Sequence, residues 1–193
     1  MTGDGKDERL RLGRVWDLVA VNIVLVGASF ALAAAWSAKL PARHPVHWNA
    51  AGQPDRWVAA GSCEWYVLPI VAAALAALLV ALALLMPRIP LSMWNMPRKE
   101  QFMALPREAK ESVATWLVRW LLDVSSMNTI LMILIQFLMY RSIVGGRSVA
   151  SWGLGLVGLL YAGWMVWGVV GFMRRVRSAE AEVARGNGGG SAG

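Results

Sequence analysis

Four stretches of this chain run without a charge for longer than a soluble core element requires. Leu18–Ala38 spans 21 residues, Trp65–Pro87 spans 23, Val124–Tyr140 spans 17 and Ser148–Met173 spans 26. A helix rises 1.5 Å per residue, so about 20 residues cross the ~30 Å hydrocarbon layer of a bilayer. The third stretch reaches that length by extending backward through Trp116–Leu122, past Arg119 and Asp123. Lipid offers no partner to an open strand's backbone, so each stretch is expected as a helix. The expected fold class is therefore all-α: a polytopic membrane protein with four transmembrane helices at about 18–38, 66–87, 117–140 and 149–173. A tail at 1–17, loops at 39–64 and 88–115, and a flexible tail at 174–193 complete the division. The composition agrees: 57% of residues are hydrophobic and 16% are Asp, Glu, Lys or Arg. A soluble domain carries roughly 25% charged residues.

Orientation follows from the basic residues. Lys6, Arg9, Arg11 and Arg14 precede span one, and Arg88, Arg98, Lys99, Arg107 and Lys110 separate spans two and three. Arg174, Arg175, Arg177 and Arg185 follow span four, giving thirteen on that side against five (Lys39, Arg43, Arg56, Arg141, Arg147) on the other. The positive-inside rule then makes both termini and the middle loop cytoplasmic and turns the 39–64 loop outward. The net charge of +7 is thereby accounted for. No basic stripe with interleaved stacking aromatics exists, so nucleic acid is not an expected partner. An uncleaved first span is expected, because its apolar run exceeds the 7–15 residue core of a signal peptide. Trp16, Trp36, Trp65, Trp116 and Trp152 fall near span ends, where indoles favour the interface.

Small residues let helices approach closely in lipid. Ser151, Gly155, Gly158 and Ala162 share a face of span four, and Ala73, Ala77 and Ala81 share a face of span two. These faces predict helix contacts, with a homodimer seam as the functional alternative. Pro106 marks a helix start before Arg107, and residues 106–115 read as a charged, interfacial approach to span three. Arg119, Asp123 and Ser126 lie on one face of span three, and Asp17 opens span one at the same depth. An Asp17–Arg119–Asp123 cluster between helices one and three is expected. It reads either as an ion pair that fixes helix register or as an ion or proton site. Asn128 lies opposite Arg119 around the helix, so the two do not build one polar wall.

The outward loop holds the most specific stretch, LPARHPVHWNAAGQPDRW, from Leu40 to Trp57. Pro41 and Pro45 keep it extended, Asn49 and Gly52 suit a tight turn, and Pro54 with Asp55 suggests a second. Trp48 and Trp57 can seat it on the membrane surface, while His47, Asn49, Asp55 and Arg56 offer polar handles. The loop reads either as a ligand-binding cap or as a rigid lid joining two spans. His44 and His47, the only histidines, have Asp55, Cys63 and Glu64 nearby in sequence, but Pro45 interrupts the pair and no second matched pair follows. No metal or cofactor is expected. No Gly-rich phosphate loop, HExxH or GxSxG is present, so an enzyme is not expected.

The same stretch resembles the LP-x-x-[IV]-P-x-H-[WF]-N-x-x-G-x-P-D-x-W signature of a bacterial membrane family of unknown function. That domain also forms the N-terminal part of SdpI-type toxin-immunity proteins. The matching positions are Leu40, Pro41, Pro45, His47, Trp48, Asn49, Gly52, Pro54, Asp55 and Trp57. Trp94–Phe102 resembles the family's N-[IM]-P-x-K-[DE]-x-[FYW] segment, matching at Asn95, Pro97 and Lys99. His44 stands where the family has an aliphatic residue, and the lysine that often follows the Trp57 region is absent. The signature of the immunity proteins' C-terminal half is also missing. The resemblance implies a multi-pass protein of the bacterial cytoplasmic membrane with binding, signalling or immunity-like functions. Its implied partners are a secreted peptide or envelope ligand outside and a cytoplasmic regulator inside. A small transporter or proton-linked channel using Asp17, Arg119 and Asp123, and a structural subunit packed through span four, are the alternative expectations.

Overall fold

A computed structural model describes residues 15–90, 93–95, 99–146 and 151–188. Helix α1 (Trp16–Ser37) leads into an antiparallel hairpin of β1 (Arg43–Trp48) and β2 (Pro54–Ala59). A 3-10 turn at Cys63–Tyr66 opens α2 (Val67–Leu85), then come a short α3 (Lys99–Ala104), α4 (Arg107–Gly145) and α5 (Ser151–Gly188). Four helices among the described residues are long and apolar enough to cross a membrane. Their uncovered surface fits that role, since Leu159 and Trp167 on α5 are 73% and 68% exposed. An apolar surface on that scale requires a non-aqueous cover. The chain has the character of a multi-pass membrane protein.

Local chemistry sets the boundaries. Pro69 fits α2 because first-turn N–H groups have no intrahelical partner. Ser62 accepts a hydrogen bond from Glu64 N (3.3 Å) and so caps the turn before it. Pro106 precedes α4 as expected, and Gly146 ends it in the left-handed conformation (φ 60°). Helix α4 has 39 residues, or roughly 58 Å, about twice the hydrocarbon thickness. The expected interfacial approach at 106–115 is thus the first part of α4 itself. Helix α5 likewise continues to Gly188, through residues where a flexible tail was expected. Residues 1–14 of the expected 1–17 tail, Pro97, residues 189–193 and the side chains of Ser151 and Trp152 lie outside what is described.

Helix α4 is the central element, packed against α1, α2 and α5. Two clusters close the bundle at the end far from the hairpin. Val15, Val19, Ala83, Val118 and Leu122 join α1, α2 and α4. Trp94, Phe102, Leu105, Val113, Ala114 and Val176 join α3, α4 and the end of α5. Lys110 Nζ donates to Met103 O (3.3 Å) and holds α3 onto α4.

The small-residue faces differ from expectation. In α2 the buried alanines are Ala72, Ala76 and Ala83, while Ala77 and Ala81 are exposed. The face is rotated by one residue, about 100° of helix, because α2 must meet α4 as well as α1. In α5, Gly155, Gly158 and Ala162 are exposed, and a side chain at Gly155 or Gly158 would meet nothing within 4 Å. The close approach falls lower. A Cβ at Gly168 would come within 2.0 Å of the Trp120 indole, and one at Gly171 would lie 3.4 Å from Trp116. The bulky indoles of α4 select the glycines, and the open stripe has no matching knob.

Candidate functional site

The hairpin covers the end of the bundle where α1 finishes and α2 begins. Asn49 Oδ1 accepts from Ala51 N and Gln53 N (both 3.0 Å), and Gly52 adopts φ 73°, which lets the chain reverse in this short connection. Strand pairing shifts register between Pro45 and His47 and again between His47 and Trp48. Such irregularities re-aim side chains. They leave His47 beside Asp55, with Nδ1 to Oδ1 at 2.5 Å, and both residues are exposed. Arg56 Nη2 lies 2.6 Å from Glu64 Oε2, so the second strand is paired with the turn that opens α2.

Two long-range hydrogen bonds fix the base. Trp65 Nε1 donates to Ala33 O (2.9 Å), and Gln136 Nε2 donates to Trp65 O (3.0 Å). Together they tie α1, the turn and α4. Trp65 is 3% exposed, so it is a core residue here and not an interfacial anchor. Trp36 is closer to that role, stacking on Tyr140 at 5.5 Å between centroids. His44 is buried under the hairpin, edge-on to Trp65 at 5.9 Å, with Nδ1 3.3 Å from Pro41 O. His44 and His47 therefore have separate surroundings. Among the described residues no group of three or more His, Cys, Asp or Glu side chains is placed to hold a metal.

Between the hairpin and the helices lies a cavity of about 480 Å³. His47, Trp48, Asn49, Gly52, Arg56 and Glu64 form its upper side. Trp65, Val67, Leu68, Ile135 and Met139 form its base. A second cleft of about 330 Å³ on the hairpin's other flank takes in Trp48, Gly52, Pro54 and Trp57, facing Ser142 and Ile143 of α4. Of the loop residues singled out by sequence, His47, Trp48, Asn49 and Gly52 line the first space, Pro54 and Trp57 only the second. Asp55 lines neither and acts on His47. Sequence reasoning named Glu64 only beside the histidines and Trp65 only as a span-end indole, did not join Gln136 to the loop, and missed the Val67–Leu68 step and Ile135 and Met139 of α4. Gln136, an amide flanked on both sides by apolar residues, was the available signal.

The other candidates separate. Asn95 and Lys99 are exposed, while Trp94 and Phe102 on either side of them are buried in the far-end cluster. Arg119 Nη2 lies 3.7 Å from Asp17 Oδ2, with both side chains about half exposed, and Asp123 lies within electrostatic reach of both. Asn22 Nδ2 donates to Leu18 O and Leu122 O, and Asn128 Oδ1 accepts from Tyr161 OH on α5 (3.0 Å). The deeper polar groups thus join helices in different directions.

The architecture is a four-helix membrane bundle capped at one end by a hairpin over a mixed polar and apolar cavity. A family model described as "Domain of unknown function (DUF1648)" matches residues 24–73, from within α1 through the hairpin into α2. That match contains the Leu40–Trp57 stretch and stops before the 94–102 segment. Neither a curated protein nor a solved structure matches the chain.

Proposed function

We propose that this chain is a non-enzymatic binding protein of the cytoplasmic membrane, with its ligand site in the hairpin cavity on the outer face. The observation that carries the reading is the 480 Å³ space itself, of ligand-pocket size, lined by polar and apolar residues of the hairpin and turn and by apolar residues of α2 and α4. The hydrogen bonds through Trp65 support it, because a site held by its own scaffold binds without first being ordered. In the orientation given by the basic residues, the termini and the 94–102 segment are cytoplasmic. That segment would then meet an internal regulator while the cavity meets an envelope ligand or secreted peptide, as a signalling or immunity-like protein requires. The bonded, diverging polar groups of α1 and α4 favour binding over transport.

Cys63, the sole cysteine of the chain and exposed in the turn beneath the hairpin, tests the orientation. A membrane-impermeant maleimide should label it in intact cells, and labelling only after permeabilisation would reverse the topology. Crosslinked recovery from native membranes, comparing the wild type with Leu68→Trp, tests the site. A ligand lost only in the variant supports the cavity. Identical recoveries reduce the hairpin to a lid.

A further inference from the structure

The cavity joins two chemically different walls. Val67 and Leu68 come from the first turn of α2, Ile135 and Met139 from the last third of α4, and none carries a polar side chain. Val67 is 47% exposed and Ile70, one turn on, is 52% exposed, so the apolar base continues onto the outer surface of α2. A chain sliding in from the bilayer therefore meets hydrocarbon-like surface without leaving it. The other wall carries both signs of charge within one short space. Arg56 and Glu64 line it as a pair 2.6 Å apart, with His47 beside them and backed by Asp55. These side chains are 40–63% exposed. Glu64 Oε2, the oxygen facing Arg56, is itself shielded and accepts no aligned hydrogen bond, so the pair is held by charge alone and a better-aligned donor can replace it.

That charge pattern discriminates between headgroups. A purely anionic headgroup that takes Arg56 from Glu64 leaves the carboxylate facing a like charge. A purely cationic one leaves the guanidinium with no partner. A headgroup with both a phosphate and an ammonium satisfies the two at once, the phosphate accepting from the planar Arg56 fork and the ammonium donating to Glu64. Building on the ligand-site reading above, we infer that the hairpin cavity takes a phospholipid whose headgroup carries a phosphate and a primary ammonium. One acyl chain lies along Val67, Leu68, Ile135 and Met139. Trp65, pinned by Ala33 O and Gln136 Nε2, is the rigid floor between head and chain.

The test uses the full chain in micelles with equal amounts of phosphatidylethanolamine and phosphatidylglycerol, read by native mass spectrometry of retained lipid. The wild type should retain phosphatidylethanolamine roughly three- to fivefold over phosphatidylglycerol, the range that one exposed charge contact supplies. Glu64→Gln should erase that preference without loss of phosphatidylglycerol, and Arg56→Gln should lower both. Equal or greater retention of phosphatidylglycerol by the wild type, or an unchanged preference in Glu64→Gln, overturns the inference. Photoactivatable forms of both lipids separate this failure from failure of the site. Crosslinks at Leu68, Ile135 or Met139 that ignore the headgroup leave the cavity standing and discard the headgroup assignment. A peptide crosslinked there from native membranes, with no lipid, does the same. Absence of any crosslink at the cavity removes the site as well.

Discussion

At the end of the bundle far from the hairpin, Trp94, Phe102, Leu105, Val113 and Val176 close directly on one another. Two local hydrogen bonds support that cap, joining Trp94 to Ile89 and Lys110 to Met103, five and seven residues apart. At the hairpin end the ties span 32 residues (Trp65 to Ala33) and 71 residues (Gln136 to Trp65), and a cavity remains between them. The far end is thus a closed apolar cap in which side chains of α3, α4 and α5 pack directly on one another. The hairpin end is an open frame held by distant polar contacts. A packed cap gains most from burial, whereas a frame can leave a space unfilled because its ties, not its contacts, hold the walls.

The largest expected effect breaks the cap. Phe102 is fully buried, so Phe102→Ala should cost about 3–5 kcal/mol in reversible unfolding from mixed micelles. Lipid retention at the hairpin cavity should change little if the two ends are independent, and a parallel loss would show that they are one unit. Next is the α4–α5 seam. Gly168→Ala should destabilise by about 1–3 kcal/mol, because the new methyl overlaps the Trp120 ring. Gly158→Ala, on the open face, should stay within about 0.5 kcal/mol. Equal effects at the two glycines would mean that the upper stripe is covered, as the homodimer seam requires. Adding Trp120→Ala to Gly168→Ala should restore part of the loss.

The frame responds more gently to single changes. Gln136→Leu leaves the Trp65 carbonyl without its side-chain partner, at a cost of about 0.6–1.7 kcal/mol by analogy with polar contacts between membrane helices. Its sharper readout is local: amide exchange across 43–66 should quicken while exchange in 99–118 holds. The smallest effect belongs to the charged pair near the far end. Asp17→Asn should shift stability by less than ~1 kcal/mol, because both partners are about half exposed. A flux defect in liposomes for that variant or for Asp123→Asn would instead favour the transport alternative.

The four spans were legible because uncharged length is a one-dimensional property. So was the turn at Asn49 and Gly52, where an amide acceptor and a left-handed glycine are local requirements. Similarity to a domain family of unknown function was legible over 24–73, where the loop signature lies. The helix contacts were less so. Alanine and glycine stripes mark every face that permits close approach, yet the partner indoles on α4 decide which one is used. Polar residues of the loop were read as one site, but the two register shifts distribute them between two cavities and an ion pair.

Sequence alone determined that the chain forms four apolar helices of membrane-crossing length and where the 39–64 loop turns, because hydrocarbon thickness and backbone pairing act on consecutive residues. Tertiary structure decided what lies under that segment. Arg56, Glu64 and Trp65 come from the hairpin and the turn after it, and Ile135, Gln136 and Met139 from a helix some seventy residues on. Those groups meet because helix α4 crosses behind the hairpin, and no spacing within the loop encodes which residues a distant helix will bring.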